Sequence, residues 1–395
     1  MKHWDVCIVG AGAAGLMCAI EAGRRGRSVL LLDHSNKPAE KIRISGGGRC
    51  NFTNLGIQAD RFLSQNPHFA KSALSSYTQY DFIDMVASYD IPYHEKTLGQ
   101  LFCNTSAKDI IDMLLTEARS ACVEICMNTA ISSVKKKDNF TLTMPTGRIT
   151  SDALVIATGG KSIPKMGATG WGYLIAKQFG IPLVETRPAL VPLTFAEQDL
   201  VQTKPLAGVS VEANVRNGFA SFDEGLLFTH RGLSGPSILQ ISSYWREGQE
   251  IIVNLATRND TFKVLKDQRH TIGRNSLIKT LSQLLPARLA EVVVQDVGLR
   301  GNLADQSDKA LQILHDRVHN WQIKPCGSEG YRTAEVTLGG VDTNAIDAKT
   351  MMAKSVPGLF FIGEVMDVTG WLGGYNFQWA WSSGWAAGQA VCSSP

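Results

Sequence analysis

The start of the chain shows the apolar patterns of a strand, a helix and a second strand. Residues 5–9 are mostly apolar, as in a buried strand, and residues 28–32 form another apolar run that ends at Asp33. Residues 16–26 carry apolar side chains at helical spacing, after the glycine-rich segment 10–15. The pattern predicts a β-α-β unit with a tight turn behind its first strand.

The next part of the chain continues to alternate between strand and helix. Residues 38–54 predict a loop, because a serine and three glycines lie at its centre. Residues 70–89 and 107–121 have helical spacing, whereas residues 140–144 and 153–157 have the apolar character of strands. We therefore expect an α/β arrangement over this half.

The pattern changes near residue 188. Residues 209–215 and 251–255 alternate polar and apolar side chains, as in a small antiparallel barrel or sheet. Residues 261–321 are mostly helical in spacing. Residues 359–362 then form an apolar strand, and a helix is predicted from Phe377 onward.

Composition places the chain among globular proteins. It has 395 residues, 44% hydrophobic and 19% charged, which predicts two or three domains and argues against extensive disorder. Asp5 interrupts the N-terminal apolar stretch and Gly10 ends it, so no signal peptide is expected. A membrane span needs about 18 consecutive apolar residues, and the sequence contains no such run. We expect a cytoplasmic protein.

The net charge of +3 is too small to establish a polyanionic partner. Residues 256–324 are more basic, with eleven Lys and Arg against seven Asp and Glu, a net of +4. Two interpretations stay open: a solvated helical surface, or a patch that faces nucleic acid.

Eight cysteines are present, and none of them forms a C-x-x-C pair. Several lie in apolar runs, where a thiol packs as a small hydrophobe. The sequence therefore predicts neither a metal site nor a disulfide framework.

Gly10-x-Gly12-x-x-Gly15 has the context of a dinucleotide-binding turn, between a strand and a helix and about 20 residues before an acidic strand end. Gly10 permits the sharp turn, Gly12 lets the backbone approach a pyrophosphate, and Gly15 allows close packing of helix on strand. The helix N-terminus offers N–H groups to the phosphates, and Asp33 can bind a ribose hydroxyl. The predicted dinucleotide contacts of this unit are Gly10, Gly12, Ala13, Ala14, Gly15, Asp33 and His34.

Two later segments favour FAD over NAD as the dinucleotide. Ala157-Thr158-Gly159-Gly160 resembles the A-T-G segment of two-dinucleotide-binding flavoproteins. Residues 358–364 resemble the G-D segment that holds the ribityl chain in those proteins, with Glu364 in place of the usual Asp. The sequence has no second G-x-G-x-x-G behind a strand. We therefore expect NADH or NADPH, if either is the electron donor, to visit the flavin only transiently.

Five blocks together carry a family resemblance: residues 41–54, 93–96, 228–236, 329–341 and 363–380. Their combination resembles the YhiN/BaiN-type flavoproteins, also labelled the aminoacetone oxidase family. The resemblance covers essentially the whole chain, and it is especially close to the YhiN branch.

The resemblance implies an α/β fold with an FAD-binding Rossmann-type domain (1–190 and 342–395). It also implies an inserted β-barrel (191–255 and 326–341) and a small helical insert (256–325). For the YhiN branch it implies reduction of the C5–C6 bond of a uridine in 23S ribosomal RNA to dihydrouridine, hence an RNA substrate. The alternative is a small-molecule flavin enzyme, either an enone reductase or an amine oxidase.

Two loops supply most of the remaining candidates. The glycine loop at residues 45–54 is expected to wrap the pyrophosphate or ribityl chain, and the N–H groups of residues 370–376 to face the flavin pyrimidine edge. The further predicted cofactor contacts are Lys41, Gly47, Arg49, Cys50, Asn51, Asn54, Ala157, Thr158, Gly159, Gly363, Glu364, Asp367, Gly373, Gly374, Tyr375, Asn376 and Phe377.

The predicted catalytic residues are Cys50, His230 and Tyr375. Cys50 could protonate a carbon atom, or it could be a buried small hydrophobe. His230 could contact substrate or donate a proton, or be an ordinary surface residue. Tyr375 could stack on the flavin or on the base. The sequence leaves the electron donor, the nucleotide, the proton donor and the oligomeric state open, and it is compatible with a monomer.

Overall fold

A computed structural model describes residues 2–391, which form two compact units. The first unit comprises Met1–Arg187 and Val336–Pro395, and the second comprises Pro188–Glu335. The first unit thus combines the two ends of the chain.

The strands are β1 (Lys2–Val9), β2 (Val29–Leu32), β3 (Asn51–Asn54), β4 (Phe62–Leu63), β5 (Tyr93–Glu95), β6 (Gln100–Cys103), β7 (Glu124–Cys126), β8 (Ser133–Lys136), β9 (Phe140–Met144), β10 (Gly147–Ile156), β11 (Leu183–Ala189), β12 (Leu193–Thr194), β13 (Ser210–Arg216), β14 (Ser221–Thr229), β15 (Gly232–Ser234), β16 (Ile251–Asn254), β17 (Trp321–Ile323), β18 (Gly327–Ser328), β19 (Val336–Val341), β20 (Leu359–Phe361) and β21 (Thr369–Gly370).

The helices are α1 (Ala13–Arg24), α2 (Glu40–Gly48), α3 (Ala70–Ser76), α4 (Gln79–Ala87), α5 (Ala107–Ser120), α6 (Trp171–Gln178), α7 (Glu197–Thr203), α8 (Pro236–Ser242), α9 (Thr261–Ile272), α10 (Leu277–Leu281), α11 (Ala287–Asp296), α12 (Asp308–His319) and α13 (Tyr375–Ala390). Within residues 2–391, no helix combines the length and apolar character needed to cross a membrane.

The main sheet of the first unit has a parallel core in the order β7-β2-β1-β10-β20, and β9 and β8 continue it in antiparallel pairing from the other half of β10. Val9 at the end of β1 pairs with Leu32 of β2 and with Ile156 of β10, and Ile156 pairs with Phe361 of β20. Four strands therefore end in register. The segments that follow them emerge side by side, which is where open α/β sheets bind their ligands.

Helices α1 and α13 pack together in the core of this unit because glycine allows them to approach closely. A Cβ atom at Gly384 would lie 2.5 Å from the Ala14 carbonyl oxygen, and one at Gly388 would lie 2.5 Å from Glu21 Cβ. The first predicted helix and the C-terminal one are thereby held as one layer beside the buried strands β1 and β2.

A small antiparallel sheet, β3-β6-β5, also belongs to the first unit. The sequence prediction of a loop over residues 38–54 was wrong at both ends of that segment. α2 begins at Glu40 because Ile42 is buried beneath it, and the three left-handed glycines Gly46–Gly48 end its regular geometry. The predicted helix over residues 70–89 is split between α3 and α4, because Thr78 starts a new helix with a capping box to Asp81.

The second unit contains an antiparallel sheet in the order β17-β16-β13-β14-β15-β12-β18, together with helices α9 to α12. The hairpin of β13 and β14 pairs Ser210 with Leu227 and Arg216 with Ser221. These pairings form an antiparallel sheet in the segment where the alternation of polar and apolar side chains predicts a sheet or a barrel. The barrel closure that the family resemblance implies stays a prediction.

Candidate cofactor site

The turn between β1 and α1 uses glycine for two different reasons. Gly10 has φ +112°, and a Cβ atom there would lie 2.3 Å from the Ala157 carbonyl oxygen. A Cβ atom at Gly15 would lie 1.9 Å from the Gly10 carbonyl oxygen. Gly12 differs, because no described atom lies within 4 Å of its Cβ position. Gly10 and Gly15 are therefore packed against protein, whereas Gly12 faces open space.

The N-terminus of α1 is suited to an anion. Gly12 is the N-cap and has no side chain with which to cap the helix, and the first turn consists of the uncharged residues Ala13, Ala14 and Gly15. The first intrahelical bond runs from the Leu16 N–H to the Gly12 carbonyl, 2.9 Å. The earlier N–H groups and the positive end of the helix dipole remain for a phosphate.

Asp33 holds the turn as well as ending β2. Its Oδ2 accepts from the Ala11 N–H at 2.7 Å, and its Oδ1 accepts from the Ser35 N–H at 2.8 Å. Each carboxylate oxygen keeps a lone pair, so a ribose hydroxyl can still bind. The more exposed His34 lies beside it, with Nδ1 3.5 Å from Asp33 Oδ1.

The segment behind β10 is the second part of the edge. Ala157 contacts Gly10, and Gly159 has φ +68° with no described atom within 4 Å of its Cβ position. The buried Thr158 hydroxyl has no hydrogen-bond partner among residues 2–391. Burying a hydroxyl without a partner is costly. The open glycine is a feature that a bound dinucleotide would account for, whereas the Thr158 hydroxyl faces Gly172 of α6.

Glu364 lies at the centre of a polar network. Lys41 Nζ donates to Glu364 Oε2 and to Ser162 Oγ, each at 2.6 Å. Ser162 Oγ donates to Glu364 Oε1 at 2.8 Å, and the Thr337 N–H donates to the same oxygen at 3.0 Å. A glutamate is one methylene longer than the aspartate usual at this position, and here its carboxylate is already bound by three residues of the chain.

Gly160 belongs to the same network by close contact, because a Cβ atom there would lie 2.3 Å from Thr337 Oγ1 and 2.6 Å from Glu364 Oε1. Sequence reasoning did not select Gly160, Ser162 or Thr337 as individual site residues. Thr337 lies in a block that carries the family resemblance, whereas no spacing signal marks Ser162.

Gly363 joins the C-terminal segment to α1. It has φ +70°, and a Cβ atom there would lie 2.9 Å from Ala14 Cβ. Its N–H donates to Ser383 Oγ at 3.0 Å, and its carbonyl accepts from Trp379 Nε1 at 3.1 Å. The predicted contact at residue 363 is thus brought directly against the first glycine turn.

The turn before α13 meets β3. Gly374 has φ +96°, and a Cβ atom there would lie 2.4 Å from the Thr53 carbonyl oxygen. Asn54 Nδ2 donates to the Gly373 carbonyl at 2.8 Å. The amide of Asn51, oriented to donate to the carbonyls of Thr53 and Leu101, lies beside Gly374. The structure therefore brings together two predicted loops that are more than 300 residues apart.

The side chains at the start of α13 are turned into their own loop and the core. Asn376 accepts from the Gly370 N–H at 2.8 Å and donates to the Gly370 carbonyl at 2.9 Å. Phe377 stacks on Trp381 with ring centroids 5.7 Å apart. These side chains shape the loop, and the backbone N–H groups behind Gly374 are what the loop can offer to a ligand.

Tyr375 is 3% exposed, and its hydroxyl has two partners. It accepts from Arg61 Nη1 at 2.7 Å and donates to the Gly56 carbonyl at 3.2 Å. The Arg61 guanidinium also lies 5.3 Å from the centroid of the Trp371 ring. Arg61 was not selected from the sequence, which contains no local signal for it.

Cys50 has no exposed surface, although its neighbours Gly47 and Arg49 are exposed. Burial raises the pKa of the Cys50 thiol, and the nearby Cys103 raises it further, so the group stays a neutral thiol. A left-handed backbone at Cys50, φ +51°, starts β3 with this side chain in the core. This burial fits the second of the two interpretations of Cys50 given from the sequence, that of a buried small hydrophobe.

Asp367 and His230 lie in other surroundings. Asp367 is 2% exposed and accepts from the Gln65 N–H at 2.8 Å, and burial raises the pKa of its carboxyl. It therefore anchors residues 64–65. His230 belongs to the second unit, in the exposed turn between β14 and β15. Within residues 2–391, no group of three or more His, Cys, Asp or Glu is arranged to hold a metal ion.

Comparison with known proteins identifies the family. The sequence profile of the HI0933-like protein Rossmann domain matches residues 4–390. The chain belongs to the HI0933-like family. This confirms the family resemblance drawn from the sequence and the Rossmann-type fold of the first unit.

Two curated relatives show how far this HI0933-like chain matches other members. It is 52% identical to the "Ribosomal RNA dihydrouridine synthase" of Escherichia coli (strain K12), covering 100% of this chain and 99% of the relative. It is 45% identical to the protein of the same name from Haemophilus influenzae, covering 99% of each.

Solved structures share the fold of the HI0933-like chain at low sequence identity. The 3-ketosteroid-Δ4-(5α)-dehydrogenase of Rhodococcus jostii RHA1, solved with 4-androstene-3,17-dione, superposes with a TM-score of 0.53 at 13% identity. The match covers 100% of this chain and 97% of that one. At this identity the likeness shows the fold alone.

Proposed function

We propose that the protein is an FAD-dependent oxidoreductase that reduces the C5–C6 bond of a uridine in 23S ribosomal RNA to dihydrouridine. The observation that carries the proposal is the end-to-end similarity to proteins named for that activity. The geometry of the first unit supports it, because the turns behind β1, β10 and β20 meet at one sheet edge with an open glycine and an uncapped helix N-terminus.

The residues of this edge fit FAD. The N-terminus of α1 would receive the pyrophosphate, and Asp33 a ribose hydroxyl. Backbone N–H groups at the start of α13 would face the pyrimidine side of the ring, where the helix dipole favours negative charge. When bound and reduced, the flavin would supply a hydride for a carbon–carbon double bond.

Reduction of C5–C6 also requires a proton at the second carbon. Tyr375 is our proposed donor, because it adjoins the 373–374 turn and its oxygen accepts from Arg61. The guanidinium would stabilise the charge that the hydroxyl oxygen develops as the proton leaves. His230 is the second proposed proton donor. Cys50 is less suited to this role, because burial raises the pKa of its thiol and makes it a weaker acid.

The second unit is proposed to hold the RNA. Its helices α9 to α12 fall within the predicted helical insert, residues 256–325, where the net basic charge would contact phosphates. We propose that the antiparallel sheet of this unit is the inserted β-barrel predicted for residues 191–255 and 326–341. Of those residues, the strand Val336–Val341 lies in the first unit. The target base must leave its stack to reach a flavin ring. NADH or NADPH is proposed as the transient electron donor.

A strain that lacks the gene tests the function. Its 23S ribosomal RNA, digested to nucleosides and measured by mass spectrometry, should lose dihydrouridine, and the wild-type gene should restore it. A gene that carries Tyr375→Phe should form dihydrouridine at about a hundredth of the wild-type rate or less, because removing a general acid typically costs that much. Unchanged dihydrouridine in the deletion strain would overturn the RNA assignment. Rapid reoxidation of the reduced flavin by a free enone would favour a small-molecule enzyme.

A further inference from the structure

The β5–β6 hairpin exposes side chains that the cofactor site does not use. His94 and Lys96 are exposed, and Leu98 at the tip is 65% exposed with φ +51°. A leucine rarely adopts that backbone conformation, and packing against the core does not require it here. The block that contains His94 and Lys96 also carries the family resemblance, yet no role in cofactor binding accounts for it.

One row of residues links this hairpin to the cofactor site. Asn51 of β3 pairs with Phe102 of β6, and Phe102 pairs with His94 of β5. Residues directly opposite each other point to the same face of a sheet. Asn51 adjoins Gly374, and a Cβ atom at Gly46 would lie 2.7 Å from the Phe102 ring. The row therefore runs from the predicted flavin loops to an exposed edge, about 10 Å or two strand spacings away.

At the outer end of the row, the exposed ring of His94 lies on the buried ring of Phe102, with a cation beside them. The rings of His94 and Phe102 are stacked, with centroids 6.1 Å apart and planes at 20°. Lys96 Nζ lies 5.4 Å from the centroid of the Phe102 ring. We call His94, Lys96 and Phe102 the hairpin face.

His94 is held in one orientation. Its Nδ1 lies 2.7 Å from Asn104 Oδ1, and this hydrogen bond fixes the orientation of the ring. The neighbouring carboxylate, Glu95, is on the alternate side of the strand and accepts from the Gly99 N–H at 3.2 Å. The ring is thus preorganised beside a positive charge, and the nearest acid on its own strand is tied into the turn.

We infer that the hairpin face holds the RNA strand next to the target uridine, with a base stacked on His94 and a phosphate beside Lys96. The inference rests on the proposed function, because an unstacked uridine needs its neighbours held near the ring. Proteins hold unpaired RNA by stacking bases on aromatic or histidine planes and by placing cations along the backbone. The hairpin face provides both groups on the row that leads to the cofactor loops.

The test compares His94→Ala and Lys96→Ala with matched changes elsewhere on the first unit, His68→Ala and Lys137→Ala, which are also exposed. The FAD-loaded enzyme, supplied with NADH or NADPH as reductant, acts on 23S ribosomal RNA from the deletion strain, and dihydrouridine is measured by mass spectrometry. We expect the KM for RNA to rise about tenfold in His94→Ala, because a stacked base is worth about 1–3 kcal/mol. It should also rise in Lys96→Ala, and that rise should shrink at high salt because the lost contact is with a phosphate. The two control variants should match wild type.

Two conservative variants separate binding from folding. His94→Phe keeps an aromatic plane and Lys96→Arg keeps a cation, so both should recover most of the lost affinity. A wild-type KM in both alanine variants would overturn the proposed RNA contact at the hairpin face and leave the proposed function intact. Failure of the conservative variants to recover affinity would also overturn it. If the wild-type enzyme forms no dihydrouridine, both proposals fall.

Discussion

The turn between β1 and α1 and the loop at the end of α2 are both rich in glycine, yet their glycines meet different surroundings. At Gly10 and Gly15 a Cβ atom would overlap backbone atoms at 2.3 and 1.9 Å. At Gly47 and Gly48 no described atom lies within 4 Å of the Cβ position. The first pair is required for packing, and the second pair leaves the backbone accessible.

Gly12 lies between packed glycines but resembles the open ones. Its Cβ position is free, and its φ of −85° suits any residue. The same motif therefore contains two glycines that the fold requires and one, Gly12, that packing does not require. Substitutions can separate these two requirements, because one kind should change stability and the other should change cofactor affinity.

The largest effect is expected for Gly15→Ala. Its Cβ would displace the Gly10 carbonyl, so the free energy of unfolding should fall by about 3 kcal/mol with or without FAD. Denaturant unfolding of the cofactor-free protein measures this. Gly218→Ala is the control, because its Cβ position is open, and it should change stability by less than about 0.5 kcal/mol. Normal stability of Gly15→Ala would contradict the packing account.

Gly12→Ala should weaken the binding of FAD more than it lowers the stability of the protein. The cofactor-free protein should lose no more than about 1 kcal/mol, since the new methyl group meets open space and only the N-cap preference for glycine over alanine is lost. The dissociation constant for FAD should rise about a hundredfold, or roughly 3 kcal/mol, because the pyrophosphate can no longer approach the backbone. Titration with FAD, followed by flavin fluorescence, measures it. A wild-type affinity of Gly12→Ala for FAD would contradict the distinction between glycines whose Cβ positions are filled and those whose Cβ positions are open.

Glu364→Ala tests the network that joins the two ends of the chain. Lys41, Ser162 and the Thr337 N–H would lose their shared acceptor, and stability should fall by about 2 kcal/mol. Glu364→Gln should lose less, since its amide oxygen can still accept. Thermal unfolding of both variants checks the order. An equal loss in the two would show that the hydrogen bonds are not responsible.

Asp367→Asn should give the smallest effect, and one that depends on pH. Burial raises the pKa of Asp367 in the folded protein, so its charged form is disfavoured there. Wild type therefore loses stability as the pH rises from the unfolded to the folded pKa, whereas asparagine does not titrate. The variant should gain stability relative to wild type in denaturant unfolding as the pH rises above about 4, the ordinary pKa of an aspartate in the unfolded chain. A difference independent of pH would contradict the account.

The sequence predicted those parts of the site that lie within one β-α-β unit. The spacing of Gly10, Gly12, Gly15 and Asp33 is local, and the helix and strands around them formed within a few residues of their predicted limits. The spacing of glycines in a sequence cannot distinguish a glycine whose Cβ position is filled from one whose Cβ position is open. Glycine can adopt the same backbone conformations in both cases. Only the neighbours across the sheet make that difference.

Long-range pairs were beyond the reach of one sequence. Lys41 and Glu364 are 323 residues apart, and Arg61 and Tyr375 are 314 apart. Neither partner carries a local pattern that names the other. Cys50 also required the structure, because the same thiol could be a reactive acid or a core residue until its burial was known. The helical turn at Glu40 was missed because the glycines behind it dominate the local pattern.

The central claim is that both ends of the chain build a single FAD site, and the visible spectrum of the purified protein tests it most directly. The account predicts a yellow protein that releases FAD on denaturation. The colour should be much reduced in the folded Gly12→Ala variant. A wild-type protein that is colourless and stays colourless after incubation with FAD and dialysis would contradict it.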